Sequence, residues 1–248
     1  LNDLKKIHRN ASIKQSCVFA LTATPPKKEL LTEVIFEYNL ETAIADKIVC
    51  PIQLDKLTSD YSTEQVNYFI DNLIQTLQET EHPNGGKLDT HKCIVYLPWI
   101  PDIQKLSNIL SNAHIPNFQI HTKNKQQSET LKAFRNHTGA CVALACGQLR
   151  IGYSDIGVDT VFYLRSGQDP MDVTQIAGRV MRYDREKPNK TGLMICFADA
   201  KTEEFEHVTK QSTAPAAILH SYNSRNSNSS SSSAESKAKR KQYCLYAK

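Results

Sequence analysis

The chain has 248 residues, 40% of them apolar and 23% charged, enough to bury one full core and part of a second. No apolar run approaches the ~18 residues of a membrane span, and the first ten residues are too polar for a secretory signal. An intracellular protein, cytoplasmic or nuclear and with no membrane partner, is therefore expected. The net charge of +4 is unevenly spread: residues 221–248 hold six lysines and arginines against one acid, Glu235, so everything before them is left at −1. A nucleic-acid site on the body would have to come from local arrangement, because its average charge offers none.

In chain order, residues 16–21 read as a buried strand closed by Pro25 and Pro26, and it stands apart from the later strands. One strand cannot make a domain, so residues 1–50 are read as the trailing edge of a preceding domain and a connector. A polar, helix-capable stretch covers 63–79, and a turn-rich segment covers 82–92. Residues 93–99 are a buried strand. A helix over 101–113 comes next, with Pro101 in its first turn and apolar residues at 103, 106, 109 and 110. A strand at 117–122, a helix at 126–134, strands at 140–146 and 158–165, a helix from about 169 to 183 and a strand at 192–198 complete the pattern. This βαβα order, with strands apolar throughout, predicts an α/β fold: a parallel sheet with helices on both faces and right-handed crossovers, spanning 51–206.

Residues 207–248 have too little apolar content to fold. The serine run 229–233 and the basic cluster 237–241 read as a flexible tail. The seven cysteines, at 17, 50, 93, 141, 146, 196 and 244, include no Cys-x-x-Cys pair, and five lie in apolar strand-like runs. Buried free thiols are expected, and no metal site.

The sharpest signal is Gln175-Ile-Ala-Gly178-Arg179-Val-Met-Arg182. On a helix continuing to 183, Gln175, Gly178, Arg179 and Arg182 would share one face. Gly178 would let a backbone or a phosphate come close, and two arginines one turn apart could fork around phosphate oxygens. The octet resembles motif VI of superfamily-two helicases, and other segments match in the family's order. Leu21-Thr22-Ala23-Thr24-Pro25 resembles motif III, 36–53 the connector between two RecA-like domains, 93–99 motif IV, and 143–165 motif V with the strand after it. The motifs are most similar to those of DNA-repair helicases and restriction-enzyme motor subunits.

The resemblance implies a helicase C-terminal, second RecA-like domain of an ATP-dependent DNA, rather than RNA, helicase or translocase. Arg179 and Arg182 would be arginine fingers reaching the ATP γ-phosphate, with Gln175 beside them. Gly178, Gly152 and Asp155 would lie at the nucleotide. Thr22 and Thr24 would couple cleft closure to the nucleic acid. His121 and Thr122, and the backbone amides at Cys146 and Gly147, would touch the nucleic-acid strand. Motif V departs from the family pattern, because Ser154 stands where an aspartate is usual and Asp155 comes one place late. The chain also holds no Gly-rich loop ending in Gly-Lys-Ser or Gly-Lys-Thr, and no Asp-Glu-x-His box. ATP with Mg²⁺ is thus expected only in company with an upstream ATP-binding domain, separate or lost, and no hydrolysis by the chain alone. The alternative is a truncated, non-catalytic nucleic-acid-binding remnant. Trp99 could stack on a base but reads first as a packed strand-end aromatic.

Overall fold

The computed structural model describes residues 39–202, apart from 58, 150–152 and 168. Thr22, Thr24, Gly152, the strand expected at 16–21 and the tail lie outside the described residues. A short helix, α1 (Leu40–Ala45), precedes β1 (Ile52–Lys56), α2 (Thr63–Glu79), β2 (Lys92–Tyr96), α3 (Ile100–Asn112) and β3 (Asn117–His121). Then come α4 (Gln127–Asn136), β4 (Cys141–Cys146), β5 (Thr160–Tyr163), α5 (Pro170–Ala177) and β6 (Gly192–Cys196). The six strands form one sheet in the order β1-β6-β5-β2-β4-β3, and every pairing is parallel. No helix among the described residues is long and apolar enough to cross a membrane.

Each helix is placed by its apolar stripe. In α2, Val66, Phe69, Ile70, Leu73 and Leu77 recur at helical spacing and are buried. Its start is fixed by Ser62, whose hydroxyl accepts the Gln65 N–H at 3.2 Å. In α3, Ile103, Leu106 and Leu110 join the same core, which reaches the sheet through Val95, Leu97, Leu144, Phe162, Leu193 and Ile195. The opposite face carries Phe118, whose ring lies 5.6 Å from that of the fully buried Phe134 on α4. Strand side chains alternate between faces, so helices cover both and the central strands β2, β4, β5 and β6 are almost wholly apolar, whereas the edge strands β1 and β3 mix apolar with polar residues.

Two expectations need correction. Residues 52–56, where the sequence predicts no strand, form an edge strand paired to β6. The helix expected to reach 183 ends at Ala177, so the octet is not one helical face. After Gly178 the bonds shorten to three-residue steps, from Arg179 N to Ile176 O and from Val180 N to Ala177 O. The chain is then held from outside the helix. Cys50 N donates to Met181 O at 2.9 Å, the Cys50 thiol donates to Val180 O at 3.3 Å, and Val49 bridges Arg182 in antiparallel fashion. Gly192 permits this packing: a Cβ there would stand 2.6 Å from the Val180 carbonyl oxygen.

Candidate nucleotide and nucleic-acid sites

In an all-parallel sheet every strand leaves at the same edge. Pro98 and Trp99 after β2, Thr122 after β3 and Gly147 after β4 therefore share the C-terminal edge. The register pairs His121 with Cys146, Leu97 N donates to Ala145 O at 2.9 Å, and the Cys146 thiol donates to Pro98 O at 3.4 Å. Gly147 is exposed with φ +66, a left-handed conformation in which an added Cβ would meet nothing. The turn is thus glycine's for backbone reasons, and the residue is open to solvent. Thr122 is exposed, whereas His121 is 6% exposed, and its Nδ1 has no partner among the described residues. Burial, then the Lys123 charge, lowers the His121 pKa, so the ring is neutral. His121 borders a polar groove with Gln119, Lys123, Asn124 and Lys125. Trp99 corrects the sequence reading: it is 61% exposed, not packed.

The octet meets the motif V segment directly. The Arg179 guanidinium is buried, and its Nη1 donates to the Tyr153 carbonyl. It also shares a hydrogen bond with the Tyr96 side chain, whose hydroxyl donates to Leu149 O at 3.0 Å. Burial lowers the Arg179 pKa and Tyr96 opposes that shift, so the side chain remains a cation inside the domain. Arg182 differs: it is exposed and close enough for its charge to act on Arg179, and among the described residues its guanidinium makes no ion pair. Gln175 and Gly178 are half-buried. An added Cβ at Gly178 would make only ordinary contacts, 3.5 Å from two carbonyls of its own helix. Packing within the domain therefore does not require glycine there.

Residues 68–184 match the model of the helicase conserved C-terminal domain. This segment is a helicase C-terminal domain. Its sheet and helices have the RecA-like arrangement. A fragment of an HsdR subunit of a type I restriction enzyme from Vibrio vulnificus superposes with a TM-score of 0.59 at 16% identity, over 74% of this chain and 40% of that one. LlaBIII, an ATP-dependent Type ISP restriction-modification enzyme solved bound to DNA, gives a TM-score of 0.50 at 16% identity, over 74% of this chain and 15% of that one. At such identity the likeness is one of fold, and this chain spans less than half of either relative. No curated protein sequence matches it.

At the other end of the sheet, the helicase C-terminal domain buries charge. The Asp155 carboxylate accepts from Lys92 Nζ at 2.9 Å, from the Tyr153 hydroxyl at 2.8 Å and from Gly157 N at 2.9 Å. The Lys92 and Asp155 side chains are only 8% and 7% exposed, so this carboxylate, which the resemblance places at the nucleotide, is committed inside the domain. Nearby, His82 and His91 stack with centroids 3.9 Å apart, and Asp159 Oδ2 lies 2.6 Å from His91 Nδ1. No sequence spacing announces this group, because Asp159 is 68 positions from His91.

The ligand atoms of His82, His91 and Asp159 lie within 4.8 Å of one another, close enough to suggest a metal. Hydrogen bonding argues against one. Asn84 N–H donates to His82 Nδ1 at 3.0 Å, which leaves the proton on the Nε2 that a metal would need. His91 lies between two acceptors, Asp159 and Gly85 O at 3.0 Å, and so carries both protons. Burial alone would lower the His91 pKa, but the Asp159 hydrogen bond and charge raise it above its ordinary value. Burial lowers that of His82 to about 4. The cluster is an imidazolium–carboxylate pair under a neutral ring. Cys50, Cys93, Cys141 and Cys196 are buried, Cys146 is half-buried, and all five are free thiols.

Proposed function

We propose that this chain is the C-terminal motor half of an ATP-dependent helicase or translocase, acting with an ATP-binding domain in the same or another polypeptide. The observation that carries this reading is the contrast within the octet. Arg179 is tied inward to Tyr153 and Tyr96, while Arg182 is presented outward on a backbone clamped by Val49 and Cys50.

The donor set fits a polyphosphate: a guanidinium free to fork onto two oxygens, a carboxamide at Gln175, and a Gly178 whose missing side chain is not needed for internal packing. It offers nothing to Mg²⁺, so the metal would be held by the ATP-binding domain. Bound ATP would supply the phosphoryl-transfer chemistry. Arg182 would stabilise the negative charge developing on the phosphoryl oxygens, and Arg179 would position the loop that carries it. A nucleic-acid strand would run along the C-terminal edge past Thr122 and Gly147, whose exposed hydroxyl and peptide suit phosphate contacts. DNA is favoured because LlaBIII, with the same fold, was solved bound to it.

The test joins the chain to a matching ATP-binding domain. Arg182→Ala should then reduce ATP turnover about a hundredfold, because a contact made to the transition state is lost. Arg182→Lys should rescue poorly, since an ammonium cannot fork. Nucleic-acid affinity without nucleotide should not change. If Arg182→Ala spares hydrolysis and weakens nucleic-acid binding, the loop faces the strand and the proposed roles are reversed.

A further inference from the structure

Trp99 is the only tryptophan in the chain, and the domain's packing leaves it 61% exposed. Its backbone is nonetheless well fixed. Trp99 is the N-cap of α3 in an extended conformation, and the Asp102 carboxylate accepts its N–H. Pro98 before it accepts the Cys146 thiol, and Leu97 is locked to β4 by the Ala145 carbonyl. The indole is thus held out from a rigid strand end rather than from a loose loop.

The surroundings indicate what the ring could meet. The other large exposed apolar residues among those described are Ile48, Ile156 and Met171. Ile48 and Ile156 precede β1 and β5, at the opposite end of the sheet, and Met171 lies in the first turn of α5, after β5 on the same side as Trp99. The strand ends that share this edge carry Thr122, Lys123, Lys125, Gly147 and Gln148, with Arg165 and Ser166 after β5, so Trp99 and Met171 are the large exposed apolar residues of a mostly polar edge. One flat aromatic among hydroxyl, amide and ammonium groups matches a single-stranded nucleic acid. Every base offers a π-face to stack, and the phosphates beside it find cations and open peptide groups.

We infer that Trp99 is a stacking platform for an unpaired base, fixing the strand's position at the C-terminal edge. This rests on the nucleic-acid reading above and adds one contact to it. Because no base type is required for stacking, the contact is indifferent to sequence and needs an unpaired base.

The experiment uses the full chain and a fluorescein-labelled oligothymidylate. Anisotropy reports binding, and the intrinsic tryptophan fluorescence of an unlabelled titration reports Trp99 alone. Binding with strong quenching is expected. Trp99→Ala should weaken affinity about tenfold and Trp99→Phe much less, with circular dichroism unchanged in both. An abasic oligomer of equal length should bind the natural chain as weakly as oligothymidylate binds Trp99→Ala, and should cause little quenching. Binding with unchanged fluorescence, and with equal affinity for Trp99→Ala, would overturn the stacking contact and leave the nucleic-acid reading intact. No binding at all would overturn both. Quenching produced by an added ATP-binding domain, and not by the oligomer, would make Trp99 an interdomain contact and overturn the inference.

Discussion

The two ends of the sheet are built on opposite principles. At the N-terminal end, charged and titratable side chains are buried and paired: Lys92 with Asp155, His91 with Asp159, and Lys190 with the carbonyls of Ile156 and Val158 at 2.6 and 2.9 Å. At the C-terminal end, polar and aromatic groups stay open: Thr122, Gly147 and Trp99 are exposed, and His121 keeps an unsatisfied nitrogen at a groove. Apart from the exposed Arg182, residues at the first end have spent their hydrogen-bonding capacity on the fold, and those at the second have kept theirs. The first end should therefore answer to mutation in stability, and the second in binding.

Asp155→Ala should break the comparison most visibly if it is wrong. Removing the carboxylate leaves the Lys92 ammonium buried with only the Arg135 and His137 carbonyls as acceptors. A loss of about 3–5 kcal/mol in urea unfolding is expected. A loss below about 1 kcal/mol would mean that this end relaxes as freely as a surface.

The stacked histidines sharpen the same contrast through pH. The folded pKa of His82 is lowered from 6.5 to about 4, so its contribution is complete above 6.5 and is lost as pH falls toward 4. That change is worth about 3 kcal/mol. The folded pKa of His91 is raised, so its contribution is present below 6.5 and is lost as pH rises through the raised value. Asp159 faces both rings, while Lys187 and Lys190 oppose protonation of His91 and His82 respectively. Melting temperature against pH should therefore peak near neutrality, and His82→Gln should flatten the acid side only. A melting temperature that rises steadily from pH 4 to 9 would contradict the proton assignment.

The smallest expected effect lies at the open end. Thr122→Val should change unfolding free energy by no more than about 0.5 kcal/mol, because the residue is exposed and its hydroxyl can be solvated. Its measurable consequence should be weaker oligonucleotide binding. A stability loss of about 2 kcal/mol would move Thr122 to the structural side of the comparison.

Legibility in the sequence divides along similar lines. β2, β4, β5 and β6 are readable because strands buried on both faces are apolar at nearly every position, Lys92 and Thr160 being the exceptions. β1 is not, because in Ile-Gln-Leu-Asp-Lys only Ile52 is fully buried and the edge leaves the rest partly in water. The octet is readable as residue types, but its shape is not. α5 stops at Ala177 because Val49 and Cys50, some 130 residues earlier, take over the backbone at 180–182. Local periodicity carries no information about such a partner. The buried histidine pair is hidden for the same reason. Trp99 misleads because large aromatics at strand ends are more often packed, and only the finished neighbourhood leaves this one 61% exposed.

The clamp at 49–50 has a mechanical meaning. Val49 and Cys50 stand immediately before β1 and grip the loop that presents Arg182. Tension on the chain ahead of β1 would reach that guanidinium across a two-residue span, before any strand of the sheet had to move.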